Sequence, residues 1–232
     1  MKRYGKVLKK DYREIVLLKS NPCSYGKCTF CDYINDNSTQ NDIVDINHKV
    51  QQNVTGEVGK LEIINSGNFI DIPKQTWHEI KQIIQSKDIT EITVENHWIH
   101  RHRNYDLYKE LQQLNCKINF KIGVETFNQQ FREVILNKGM GEVTPSMVRQ
   151  YYNQVNLLVG IQGQTKEQIL QDILLGVMYF DKVVINMYQN NSTDIKKDEE
   201  LQKWFLTNFY FIESAMPYKV ELLYNNTDYN VG

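Results

Sequence analysis

The stretch EIVLLKSNPCSYGKCTFCDY, Glu14–Tyr33, sets a short apolar run directly against a loop that holds three of the chain's four cysteines. EIVLLK, Glu14–Lys19, reads as a strand buried on both faces, because its consecutive apolar residues leave no solvated side. The loop after it lies at the carboxyl end of that strand, where parallel α/β sheets carry their functional residues. Its spacing is Cys23-xxxx-Cys28-xx-Cys31, with Pro22 stiffening the approach and Gly26 permitting a sharp turn. Two cysteines could form a disulfide, whereas three within nine positions leave one over and point to an inorganic group. A closed zinc site needs four ligands, and so does a plain electron-transfer cluster. The fourth cysteine, Cys116, falls just before a later strand, at the opposite end, and reads as a small buried side chain. Three thiolates on a four-iron cluster would leave one iron for an outside ligand.

Outward from this loop the pattern of apolar run and helix repeats. Ile43, Ile46 and Val50 predict a helix over 42–53, and KLEIIN (Lys60–Asn65) a second strand. Pro73 opens a helix carrying Trp77, Ile80 and Ile84, since proline is tolerated in a first turn. EITVE (Glu91–Glu95) is a third strand, followed by a helix through Leu107, Leu111 and Leu114. KINFKIGVE (Lys117–Glu125) is a fourth, with a helix ending at the capping signal Lys138-Gly139. VNLLVG (Val155–Gly160) and KVVINM (Lys182–Met187) are the fifth and sixth, with a helix between them capped by Thr165. A last helix carries Leu201, Trp204, Phe205, Phe209 and Ile212 as a core stripe, and YKVELLY (Tyr218–Tyr224) reads as a closing strand.

Strand–helix alternation with apolar strands predicts a parallel sheet covered by helices. Six units in this length fit a partial (β/α)6 TIM-type barrel, with a doubly wound Rossmann-like sheet as the alternative. The loop after the first strand lacks G-x-G-x-x-G, so the dinucleotide fingerprint is missing. One domain is expected over 1–232, with the barrel over 13–190 and a C-terminal helix, closing strand and tail over 194–232. The formal net charge is −1 with no run of one sign, which argues against a direct nucleic-acid partner. No signal peptide or membrane span is legible, so a cytoplasmic protein with no membrane partner is expected, where cysteines favour metal over disulfides.

Together these residues resemble the radical S-adenosylmethionine (SAM) superfamily, whose signature is C-xxx-C-x-aromatic-C in the loop after the first strand of a partial barrel. Phe30 takes the aromatic place, and one extra residue lies between Cys23 and Cys28. The resemblance continues through NSGNF (Asn65–Phe69), IGVETFNQQFREVILNKG (Ile122–Gly139) and LLVGIQGQT (Leu157–Thr165), where Gln162 and Gln164 replace the family's common Pro and Glu. It implies a 4Fe-4S cluster on Cys23, Cys28 and Cys31, with SAM on the remaining iron. It also implies SAM contacts from Phe30, Ser66, Gly67, Asn68, Glu125, Arg132 and Gly160. Asn186 and Tyr188, which follow the sixth strand, are further candidates for the cofactor. The deoxyadenosyl radical released from SAM would abstract a hydrogen from the substrate, and the electron would come from a reductase, flavodoxin or ferredoxin.

The near-neutral charge and the lack of length for an RNA-binding domain favour a small-molecule substrate, with tRNA or another small molecule as alternatives. Tyr33, Asn68, Asp71, Glu95, His97 and Asp228 are candidates to hold it, because most of them follow strands at the same end. Within the superfamily the length, the C-xxxx-C-xx-C loop, NSGNFIDIP and the NNST segment are similar to the compact members that cleave queuine. That resemblance implies a lyase in queuosine salvage, converting queuine to 7-aminomethyl-7-deazaguanine by breaking a carbon–nitrogen bond. Two readings of other classes stay open, a zinc-binding module without redox chemistry and a simple electron carrier. No single catalytic residue is legible.

Overall fold

A computed structural model describes residues 1–9, 11–39, 42–225, 228–229 and 231 of the chain. Among these residues eight strands form one sheet whose order follows the chain, β1 to β8. A doubly wound Rossmann sheet reverses its strand order at a switch point, and this order has no reversal. The winding is that of the expected α/β partial barrel.

The residues gather into two compact units. The first comprises Met1–Gly26, Tyr33–Phe120 and the described residues of the tail. In it, β1 (Tyr4–Val7) runs antiparallel to β2 (Arg13–Leu18), which is parallel to β3 (Lys60–Asn65), itself parallel to β4 (Glu91–Glu95). All six residues of β2 are buried: Ile15–Leu18 as its apolar run requires, and Arg13 and Glu14 with partners, Arg13 donating to Glu62 and Glu14 accepting from the Thr55 and Gly56 amides. Helices α1 (Asp42–Gln51), α2 (Lys74–Ser86) and α3 (Asn104–Gln112) belong to this unit. Leu18, Ile63, Ile80, Ile84, Val94 and Leu111 form its core. Full burial of each such aliphatic side chain stabilises the fold by about 1.5–3 kcal/mol. Cys116 lies in the same core, and burial pushes its thiol up to about 11.

The second unit comprises Lys27–Asp32 and Lys121–Asn226. Strand β5 (Lys117–Glu125) begins in the first unit and ends here, parallel to β6 (Gln154–Val159). Strands β7 (Lys182–Met187) and β8 (Val220–Leu223) continue the parallel pairing. Helices α4 (Pro145–Arg149), α5 (Lys166–Tyr179), α6 (Glu199–Phe209) and α7 (Ile212–Ala215) complete it. The Thr165 hydroxyl caps α5 reciprocally with Gln168, a capping box that fixes where the helix starts.

Several expected elements differ. β1 was not anticipated, and Pro73 is the residue before α2 rather than inside its first turn. The helix expected to run to Lys138 is a single π turn, Phe131–Ile135. It stops because Leu136, whose amide makes the last helical bond to the Phe131 carbonyl, is followed by Asn137 at a left-handed φ of 47°. The last helix breaks at Tyr210-Phe211, so Ile212 opens α7. Of the expected stripe, Phe205 and Ile212 are buried, while Trp204 and Phe209 stay half-buried. In the tail, 226–227, 230 and 232 lie outside the described residues.

Candidate functional site

In the first unit the chain leaves β2 through Ser20 and reaches Cys23, where a dense polar network receives it. The Ser20 amide donates to the Ser66 hydroxyl at 3.1 Å, and Asn65 Nδ2 donates to the Ser20 hydroxyl at 3.0 Å. The Asn37 amide, turned so that its nitrogen meets acceptors, donates to the Ser66 carbonyl and hydroxyl at 2.8 Å. Its oxygen accepts from the Cys23 amide at 2.9 Å. Gly67 packs against this point so closely that a Cβ would lie 3.3 Å from Cys23 Cβ. A side chain at 67 would press on the cysteine itself, which explains the glycine in NSGNF.

Asn68 stands at the centre. Its Nδ2 lies 2.7 Å from Asp71 Oδ2, 3.3 Å from Ser24 Oγ and 3.4 Å from Cys23 Sγ. Its Oδ1 accepts from the His97 amide at 2.8 Å. Asp71 Oδ2 also accepts from the Ser24 amide and hydroxyl, at 3.0 and 2.8 Å. The Ser24 hydroxyl meets His100 Nε2 at 2.6 Å, and burial lowers the His100 pKa below its ordinary value. Tyr25 stacks on His97 with ring centroids 4.2 Å apart. Asn68, Asp71 and His97, three expected substrate contacts, are thus brought together around Cys23. Ser24, Tyr25, Asn37 and His100 join them without any sequence signal beyond their position.

In the second unit Cys28 and Cys31 lie on Lys27–Asp32, which neighbouring loops hold by its backbone. The Thr29 amide and hydroxyl donate to the carbonyls of Leu136 (3.1 Å) and Ile135 (2.6 Å), and Asn137 Nδ2 donates to the Lys27 carbonyl at 2.8 Å. The π turn therefore ends where it can grip this loop. Asn191 Nδ2 donates to the Phe30 carbonyl at 2.7 Å, and the Ser192 amide donates to Asp32 Oδ2 at 3.2 Å. NNST thus fastens the stretch that carries Cys31, through the residues on either side of it.

Glu125 ends β5 in a left-handed conformation, φ 67°, at a register shift against β6. Such backbone is costly for a non-glycine residue and marks functional positions. Its carboxylate accepts from Lys138 Nζ at 2.7 Å, and the same ammonium lies 5.3 Å from the centroid of the Phe30 ring. Lys138 therefore links an expected SAM contact with an expected aromatic one. Arg132 is fully buried, with its guanidinium donating to Glu133 and to the carbonyls of Thr126 and Gly141. That arrangement braces the segment after β5. Gly160 has φ 83°, and a Cβ there would strike Gln202, whose Nε2 donates to the Tyr188 carbonyl at 2.6 Å. Gln164, found where the family has Glu, closes the same turn by accepting from the Ile161 amide and donating to the Leu158 carbonyl, both at 2.9 Å.

Tyr188 is buried, its hydroxyl near the Ile195 carbonyl at 3.3 Å, and burial raises its pKa. Asn186 and Glu95 are half-buried at the ends of β7 and β4, while Tyr33 and Asp228 are exposed. Cys23, Cys28 and Cys31 are partly exposed and Cys116 is buried. Among the described residues no three His, Cys, Asp or Glu side chains gather as ligands of a single ion. An iron–sulfur cluster asks for one thiolate per iron. The donor set, three accessible thiols on a loop fastened along its length, fits that group.

No family model matches the chain. A solved structure of queuine lyase from Clostridium spiroforme, bound to SAM and queuine, aligns with 100% of this chain and 99% of that one, at 42% identity and a TM-score of 0.95. A structure of SuiB from Streptococcus suis bound to S-adenosylmethionine covers 91% of this chain and 47% of that one. Its TM-score of 0.52 at 13% identity shows likeness of fold alone. An uncharacterised protein of Methanocaldococcus jannaschii is 24% identical over 166 residues. The match covers 64% of this chain, which spans 44% of that relative's length.

Proposed function

The chain belongs to the queuine lyase family of radical SAM enzymes, and on that premise we propose its reaction. It cleaves queuine at the carbon–nitrogen bond between the aminomethyl group and the cyclopentenediol ring, leaving the nitrogen on the base as 7-aminomethyl-7-deazaguanine. The observation that carries this reading is 42% identity across the whole length of a queuine lyase whose structure holds SAM and queuine. Cys23, Cys28 and Cys31 hold a 4Fe-4S cluster. Cluster and SAM together supply, by one-electron reductive cleavage, the radical that takes a hydrogen from the substrate.

The chain's own residues hold, orient and shield. Glu125, pinned by Lys138, faces SAM, and Gly160 lets the backbone after β6 approach it. Asn186 adds a polar group at the end of β7. Glu95 offers a carboxylate to the amino edge of the deazaguanine, and Tyr33 an exposed ring for its face. Arg132 acts one step back, by bracing the segment that follows Glu125. A reductase, flavodoxin or ferredoxin delivers the electron. Among the described residues no helix is long and apolar enough to cross a membrane.

The test is anaerobic reconstitution with iron and sulfide, followed by SAM and reductant with and without queuine. Deoxyadenosine that forms faster with queuine supports the reading. Acceleration by another compound but not by queuine rejects the substrate, and none under any condition rejects the class.

A further inference from the structure

Asn68 sits in the segment that the superfamily uses for SAM, yet its amide is turned toward the cysteine loop. Which end of the amide carries the nitrogen follows from its surroundings. One end receives the His97 N–H at 2.8 Å and must be the oxygen, so the other end is the NH2 group. That group has two hydrogens. Asp71 Oδ2, at 2.7 Å, takes one of them.

The second hydrogen has two acceptors in reach, Ser24 Oγ at 3.3 Å and Cys23 Sγ at 3.4 Å. The Ser24 hydroxyl gives its only hydrogen to Asp71 Oδ2, so the 2.6 Å contact with His100 Nε2 requires the imidazole to donate to Ser24. The Ser24 oxygen already accepts from His100 and has one lone pair left, while the sulfur, within the longer reach of a hydrogen bond to sulfur, is the charged and so the stronger acceptor once Cys23 is a thiolate. The Gly26 amide, also 3.4 Å from Cys23 Sγ, is a second donor. Asn68 is 3% exposed, so water does not compete for its amide.

We infer that Asn68 is a positioning residue for Cys23, donating an N–H to its thiolate and thereby raising the reduction potential of the cluster. The inference rests on the iron–sulfur reading proposed above. A hydrogen bond to a ligating sulfur draws electron density from it and favours the reduced, more negative cluster. The role is distinct from touching SAM or the base. It makes the cluster easier to reduce by a given donor, at the step before any chemistry on queuine.

The experiment is a potentiometric titration of the reconstituted enzyme, followed by electron paramagnetic resonance of the reduced cluster, without SAM or queuine. Asn68→Ala removes the donor. Asn68→Leu keeps the bulk, removes the donor and adds no charge beside the cluster. Both are expected to bind the wild-type complement of iron and to shift the midpoint potential to more negative values. An unchanged potential at full iron content in either variant overturns the inference, because a merely structural role would not move it. Loss of iron from both makes Asn68 a scaffold residue and overturns it equally. Since SAM and queuine are left out, the outcome is independent of which base the wild type cleaves.

Discussion

Lys138 donates to Glu125 across 2.7 Å, with both side chains less than a tenth exposed and Glu125 held at φ 67°. A buried pair of this kind is weak evidence for stability but punishes the removal of one partner. Lys138→Met leaves an uncompensated carboxylate and is expected to lower unfolding stability by about 3–5 kcal/mol, measured by urea denaturation. The double variant Lys138→Met/Glu125→Leu should recover much of that loss while binding SAM more weakly than wild type. A single Lys138→Met that unfolds like wild type contradicts the pairing.

Glu125→Gly separates backbone from carboxylate. Glycine adopts positive φ without the roughly 1–2 kcal/mol strain that an L residue carries there. The relief offsets only part of the about 3–5 kcal/mol lost by leaving Lys138 buried without this carboxylate. The variant should therefore melt below wild type but above Lys138→Met, while its SAM dissociation constant, read by calorimetry, rises about tenfold or more, equivalent to about 1.4 kcal/mol. Unchanged SAM affinity would remove Glu125 from the cofactor site.

Asp172 supplies a pH test away from the cysteines. It is buried and accepts from the Phe127 amide at 2.6 Å; burial raises its pKa from 3.8 to about 6, against the opposing pull of its hydrogen bonds and Arg132. A raised carboxyl pKa means that the fold prefers the neutral form. The associated stability is fully present below 3.8 and is lost as pH rises through about 6, by roughly 3 kcal/mol. Asp172→Asn lacks this loss, so its Tm relative to wild type should climb between pH 4 and 7 and then level off. Parallel Tm curves for the two proteins would contradict the raised value.

The cysteines divide into two classes. Cys28→Ala should abolish the brown cluster absorbance after reconstitution, whereas Cys116→Ala should retain it in full. Cys116 sits in the core of the first unit with a thiol pushed up to about 11, so it is protonated at neutral pH and unsuited to ligation. Its replacement should cost stability only, about 1 kcal/mol for the small volume lost. Retained cluster in Cys28→Ala, or loss in Cys116→Ala, would overturn the assignment.

Strands β3, β4, β5 and β7 match the sequence reading at both ends, because five to nine residues rich in apolar or β-branched side chains left little freedom for another element. β1 was hidden, since YGKV is short and half polar and becomes a strand only by pairing with β2. The segment after Glu125 reads as a helix from its apolar spacing. Tertiary demands override that spacing: Arg132 is buried, Val134 is 70% exposed, and the chain turns early to hold Lys27 and Thr29. The cysteines proposed as cluster ligands stand out by their number. Their support does not, because Ser24 and His100 meet from positions 76 apart, and Asn191 and Phe30 from 161 apart. The extra residue in Cys23-xxxx-Cys28 now has neighbours that account for it: Ser24 and Tyr25 each reach a partner after β4, and Gly26 turns the chain back at φ 60°.

The most direct measurement of the central claim is mass spectrometry of the bases after anaerobic incubation of reconstituted enzyme with SAM, reductant and queuine, with Cys28→Ala in parallel. The account predicts 7-aminomethyl-7-deazaguanine accumulating as queuine falls in the wild type, and no change in the variant. Queuine left intact by a cluster-loaded wild type that consumes SAM on another compound would contradict it.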